Sequence, residues 1–171
     1  ITCHPNFPKG QIFEGYKNSL YTVENIQGIR VVRVWSFISA NEGFIKRSVD
    51  YFSFAISSFI AGLFIKTDVI LATSPQFFTA FSGELLSFFK RKPWILEIRD
   101  LWPDSIVAVG ALSATSNTYK ILKRLESHFY RSANKVIVVT DSFKQYLIQE
   151  HKIAQEKIGV FKNGVVQSSL S

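Results

Sequence analysis

The stretch Trp94-Ile-Leu-Glu-Ile-Arg-Asp-Leu-Trp-Pro-Asp-Ser105 decides how the rest of the chain is read. Its first half is a strand: Trp94, Ile95, Leu96 and Ile98 form a short apolar run behind the Lys90-Arg91-Lys92-Pro93 break. Its second half presents Arg99, Asp100, Trp102 and Asp104 around Pro103. In a wound α/β domain, the loop leaving the carboxyl end of a strand is where ligands bind. A charged pair and an indole in that place suit a polar ligand with a flat or ring-shaped face. The competing reading is an internal Arg99–Asp100 ion pair with Trp102 as core filler. Residues alone leave both open.

Outward from this stretch the pattern is regular. Upstream, Asp68-Val-Ile-Leu-Ala-Thr73 reads as a buried strand. Ser74-Pro75 opens a helix in which Phe77, Phe78, Phe81, Leu85 and Phe88 share a face, proline being well tolerated in a first turn. Downstream, Pro103 begins a short helix. Ser116 to Ala133 is an amphipathic helix, with Ile121, Leu122, Leu125 and Phe129 inward and Lys120, Lys123, Arg124 and Arg131 outward. Lys135-Val-Ile-Val-Val-Thr140 is another continuous apolar strand, followed by a helix that Asp141 or Ser142 can cap and that ends near His151. Ile158-Gly-Val-Phe161 is a last short strand and Asn163-Gly164 a turn. Apolar strands separated by helix-length segments indicate a parallel sheet covered on both faces, so the fold class is doubly wound α/β.

The amino-terminal third differs. Ile1-Thr-Cys-His-Pro5 reads as the tail of a strand, and Tyr21–Ile26 with Ile29–Trp35 around Gln27-Gly28 as a hairpin. Residues 44–65 form the most hydrophobic helix, with Lys46, Asp50, Ser53 and Ser57 on one narrow polar stripe. Its charge-free run from Tyr51 to Ile65 would span only ~23 Å, short of the ~30 Å hydrocarbon core. A transmembrane span is rejected, and burial is favoured over membrane contact.

At 171 residues the chain is long enough for one domain with a sizeable core. The single cysteine, Cys3, excludes an intrachain disulfide and fits a reducing compartment. With no Met and no signal-peptide pattern at its start, the chain is expected to be processed or a piece of something longer. The net charge of +7 favours anionic partners, either phosphorylated ligands or an anionic membrane. No nucleic-acid partner is expected, because no nucleic-acid module is present and the basic residues are not gathered on one helix.

Several chemistries lack their signatures: G-x-G-x-x-G, the P-loop, H-E-x-x-H, paired C-x-x-C and G-x-S-x-G are all absent. His4, His128 and His151 lie too far apart in sequence to argue for a metal site. Cys3 needs a partnering base to act as nucleophile, and His4 points to the opposite strand face. What remains are polar groups at strand carboxyl ends: His4 and Asn6, Ser74 and Gln76, Arg99 and Asp100, Thr140 and Ser142, Asn163 and Gly164. A parallel sheet would set these along one rim, where they outline one wall of a cleft.

Placed in this order, the segments resemble the N-terminal domain of glycosyltransferase family 4, whose GT-B architecture faces two Rossmann-like domains. More narrowly they resemble bacterial fucosamine-transferase-like enzymes of O-antigen and capsule synthesis. The match is carried by His4-Pro-Asn-Phe-Pro-Lys-Gly10 with Gly15-Tyr16, by Ile29–Val34, and most specifically by Leu96-Glu-Ile-Arg-Asp-Leu-Trp-Pro-Asp-Ser105. Leu125-Glu126, Val136–Ser142 and Asn163-Gly-Val165 also fit.

The resemblance implies retaining transfer of a sugar from a nucleotide-sugar to a lipid-linked saccharide acceptor, in the cytoplasm or at the inner face of the plasma membrane. Residues 1–165 would be the acceptor-side domain, lacking its first, central strand, and 166–171 the start of a linker to a donor domain. That donor domain would bind the nucleotide-sugar with two glutamates separated by seven residues, a spacing absent here. Neither metal nor other cofactor is expected, and the isolated piece would be inactive. Where many relatives have a histidine followed by aspartate, this chain has Arg99 followed by Asp100. Arginine is no base at neutral pH but can fork onto hydroxyls, carboxylate or phosphate. Arg99 would thus position substrate, Asp100 would orient it or bind a sugar hydroxyl, and Trp102 would stack on a sugar or support the loop. Two other readings are a GT-B nucleotide-sugar epimerase, and a non-catalytic membrane-docking module that recruits a donor-binding subunit.

Overall fold

From the amino end, the computed structural model places β1 (Thr2–Cys3), β2 (Tyr21–Ile26), β3 (Ile29–Val34), α1 (Phe44–Leu63), β4 (Ile70–Thr73), α2 (Phe77–Lys90) and β5 (Trp94–Ile98). After these come α3 (Asp104–Ala108), α4 (Asn117–Ser132), β6 (Lys135–Val138), α5 (Asp141–His151) and β7 (Ile158–Val160). The structure describes residues 1–6, 8–38, 44–74 and 77–164.

The expected parallel sheet is formed by β4, β5, β6 and β7 in that order, every pair parallel, with helices packed along it. Trp94, Leu96 and Ile98 of β5 and Val136 and Val138 of β6 are buried at the centre of the main core. Trp94 is held at both polar ends. Its N–H donates to Asn134 Oδ1 at 2.9 Å, and its indole N–H to the Ser132 carbonyl at 3.2 Å. The helix ends follow the sequence closely: Ser116 caps α4 by accepting from the Tyr119 N–H. At α5 the capping side chain is Thr140 rather than Asp141 or Ser142, because Thr140 is the last extended residue and its hydroxyl reaches the Phe143 N–H.

The amino-terminal strands form a separate sheet, β1-β3-β2, in which β1 runs parallel to β3 and the hairpin is antiparallel. Gln27 (φ 49°) and Gly28 (φ 83°) both take positive φ, as a two-residue hairpin turn requires. The single continuous rim expected from sequence is therefore broken. Among the described residues β1 and β4 each have one unpaired edge, and both line a cavity of about 970 Å³ with Phe54, Ser58 and Gly62 of α1 and Ser82, Gly83 and Leu86 of α2. Among the described residues the two sheets are not hydrogen-bonded to each other.

Two helix faces differ from the sequence pattern. On α2 the buried residues are Phe77, Ala80, Ser82, Gly83 and Leu86, while Phe81 and Phe88 are exposed. Small residues win because they allow close approach: a Cβ on Gly83 would stand 2.8 Å from Ala72 Cβ, and Ser82 Oγ lies 3.1 Å from Ser58 Oγ of α1. α1 is half buried rather than sandwiched. Phe54, Ala55, Ser58 and Ala61 face inward, whereas Val49, Phe52, Ile56, Ile60 and Leu63 form an exposed apolar stripe. Ser53, on the expected polar stripe, turns inward to accept from the Phe37 N–H.

Candidate functional site

The Arg99 loop is built at the junction of β4 and β5. Ser74, just past β4, accepts the Arg99 N–H on its hydroxyl at 3.0 Å and donates its own N–H to the Glu97 carbonyl at 2.9 Å. Thr73 donates its hydroxyl to Glu97 Oε2 at 2.9 Å. The fold thus brings Ser74 and Arg99 together. The Arg99 side chain is exposed and that of Asp100 half-buried. Among the described residues neither makes an ion pair or side-chain hydrogen bond, with each other or otherwise. The internal pair is not formed, so a fork of donors and an acceptor-only carboxylate stand side by side at a strand end.

Trp102 behaves as loop support. Its ring stacks on Phe77 at 5.2 Å between centroids with 22° between planes, and Phe77 in turn meets Phe129 edge-on at 5.5 Å. The Trp102–Pro103 peptide is cis. Asp104 is half-buried and faces α4 and α5. It accepts from the Tyr119 hydroxyl at 2.7 Å, the Lys123 ammonium at 2.8 Å and the Tyr146 hydroxyl at 2.6 Å. Burial works to raise its pKa, but the bonds from Lys123, Tyr146 and Tyr119 outweigh it and hold the carboxyl below its usual range. These donors occupy both carboxylate oxygens.

Asp104 is the outer end of a buried polar cluster that sequence reading missed. Lys123, expected to point outward, lies 2.8 Å from Asp104, 2.7 Å from Glu126 Oε2 and against the Tyr146 hydroxyl. Desolvation works to lower the Lys123 pKa, but Asp104 and Glu126 carry it above its ordinary value. Glu126 is 1% exposed; Tyr130 donates to its Oε1 at 2.7 Å, and burial raises its pKa to about 7. His151 Nδ1 lies 2.8 Å from Ser127 Oγ, whose own hydrogen goes to the Lys123 carbonyl. That assigns the imidazole hydrogen to Nδ1 and leaves an Nε2 lone pair 3.5 Å from Glu126 Oε2. Burial, then Lys123, depresses the His151 pKa to about 4. Between these two values the proton sits on Glu126 and the imidazole is neutral. One signal was present in the sequence: Glu126 falls on the buried stripe of Leu122 and Phe129, where a carboxylate needs partners.

The other candidates lie apart. His4 is 2% exposed and its Nε2 is 3.2 Å from the Ser19 carbonyl, while Asn6 donates to the His4 carbonyl at 2.8 Å. Both follow β1, in the other sheet from Arg99. Burial, then Asp50, pushes the Cys3 thiol up, away from the reactive thiolate. Asn163 and Gly164 are exposed beyond β7, and Gln76 lies outside the described residues. Among the described residues no group of three or more His, Cys, Asp or Glu is placed to hold a metal ion, and no helix is long and apolar enough to cross a membrane.

The fold is thus a wound α/β sheet with an Arg–Asp pair, unpartnered among the described residues, at a strand end. The profile of glycosyltransferase family 4 matches residues 10–168, and the chain belongs to that family. It is also similar to a probable glycosyltransferase, WbjE, of Pseudomonas aeruginosa, with 31% identity over 72 residues. That match covers 42% of this chain and 18% of the relative's length, so the chain aligns with only a fraction of that protein.

Proposed function

We propose that this chain is the acceptor-side half of a GT-B glycosyltransferase that moves a hexosyl unit, with retention, from a nucleotide-sugar to a lipid-linked saccharide. Its setting is cell-surface polysaccharide or lipopolysaccharide synthesis, and amino sugars are the preferred class. The donor is bound mainly by a second domain, and the present half is inactive alone. The observation that carries this reading is the pair Arg99 and Asp100, unpartnered among the described residues and anchored through backbone to Ser74. Arg99 forks onto sugar hydroxyls or a phosphate, and Asp100 accepts a sugar hydroxyl. Their task is to position substrate, since a guanidinium does not act as a base at neutral pH.

The same reading places the protein on the cytoplasmic face of a membrane. The exposed stripe of Val49, Phe52, Ile56, Ile60 and Leu63 on α1 supports it. Basic residues stand near its ends, at Lys46, Arg47 and Lys66, and near the end of α2, at Lys90, Arg91 and Lys92. The test of the site is sugar transfer by the complete enzyme carrying Arg99→Ala or Asp100→Ala. Each is expected to lower kcat/KM by about a hundredfold through loss of orientation. Wild-type rates in both variants would overturn the assignment.

A further inference from the structure

We infer that Lys123 is a positioning residue for the substrate loop: through Asp104 it fixes where the Arg99–Trp102 segment stands. This rests on the assignment of Arg99 and Asp100 to substrate contact. The side chains of Arg99 and Asp100 have no anchors of their own among the described residues, so their placement is decided by what holds the loop at its ends. At the start the hold is a neutral bond, Arg99 N–H to Ser74 Oγ. In the middle, Trp102 lies on Phe77. At the far end Asp104 is clamped by three donors, of which only Lys123 is charged. All three bonds are charge-assisted because the carboxylate is ionised, and Lys123 alone adds the attraction of an opposite charge.

Lys123 also does what neither tyrosine does. Its one ammonium touches Asp104 on α3, Glu126 on α4 and Tyr146 on α5. α5 starts at the carboxyl end of β6, next to the β5 end that launches the Arg99 loop. Lys123 therefore ties the segments that follow two adjacent strands to one buried point. Glu126 is enclosed at 1% exposed, and Lys123 is half-buried with its ammonium bonded to Asp104, so its influence on the loop passes through Asp104.

The experiment compares Lys123→Met, Asp104→Asn and Arg99→Ala, singly and paired, in the complete enzyme. Lys123→Met and Asp104→Asn are each expected to lower kcat/KM by about tenfold to a hundredfold. Their combination should be no worse than the weaker single variant, because both break one clamp. Lys123→Met added to Arg99→Ala should cost little further, since a loop without its arginine has less to position. Losses that multiply in both pairs would overturn the inference and leave Lys123 merely structural. Amide hydrogen exchange supplies a second readout. In Asp104→Asn, which keeps the shape of the side chain, the amides of Leu101, Trp102 and residues 104–107 should exchange about tenfold faster while those of Leu96 and Val138 keep their protection. Uniform loss of protection, or none, counts against a local clamp. Full activity in Arg99→Ala would instead sink the substrate assignment, while the exchange result would still report whether Lys123 holds the loop.

Discussion

Glu126→Gln tests the buried cluster where its energetics are sharpest. Glu126 is 1% exposed, with Tyr130 at 2.7 Å, Lys123 at 2.7 Å and the His151 Nε2 lone pair at 3.5 Å. Burial raises its pKa from 4.5 to about 7 in spite of Lys123 and Tyr130. In the unfolded chain the group ionises above 4.5, while the folded chain keeps its proton until about 7. Its stabilising contribution is therefore complete below 4.5 and lost as pH rises through 7. At 1.36 kcal/mol per unit, that loss is about 3 kcal/mol. His151 works in the opposite sense: its folded value of about 4 lies below the ordinary 6.5, so its contribution is present above 6.5 and lost as pH falls through 4. The two slopes oppose each other in the wild type, and glutamine removes only the first. Urea unfolding of both proteins between about pH 4 and about pH 8 should give a stability difference that shifts in favour of the variant by about 3 kcal/mol, mostly between pH 5 and 7. Whatever constant offset the amide introduces, parallel profiles would refute the proton assignment.

Three further outcomes are expected. Gly83→Ala places a methyl 2.8 Å from Ala72 Cβ and 3.3 Å from the Trp94 ring, and should destabilise the fold by about 1–3 kcal/mol in a denaturant titration. Arg99→Ala and Asp100→Ala should leave that titration within about 0.5 kcal/mol of wild type, because neither side chain is partnered among the described residues. Their transfer defects would then report substrate contact rather than misfolding. Replacing Phe52, Ile56 and Ile60 together by serine should abolish co-sedimentation with anionic liposomes, whereas raising salt should only weaken it. Undiminished binding by the triple variant would remove α1 from the membrane contact.

The α/β class, the parallel strands and the hairpin turn were legible because each depends on short-range pattern. Apolar runs at Trp94–Leu96 and Val136–Val138 are too continuous for half-exposed strands, and Gln27-Gly28 meets a backbone demand confined to two residues. The position of Arg99 and Asp100 at a strand end followed from the same run. Helix faces were less legible, since periodicity shows that a helix has an apolar side but not which neighbour it must approach. On α2 the close passage of β4 and α1 selects Ala80, Ser82 and Gly83 over larger phenylalanines.

Side-chain partnership belonged to tertiary structure altogether. Asp104 looks in sequence like a rim carboxylate beside Asp100, yet the meeting of α3, α4 and α5 gives it three internal donors and leaves Asp100 with none among the described residues. Lys123 looks solvent-facing until a buried glutamate draws it inward. Sequence by itself determined the family segment, the strand and the loop that presents Arg99. Only the tertiary structure decided which charges of that loop are paired inside the protein and which stay unpartnered among the described residues, because an ion pair is a property of distance in space and residues 104, 123 and 146 become neighbours only once three helices pack.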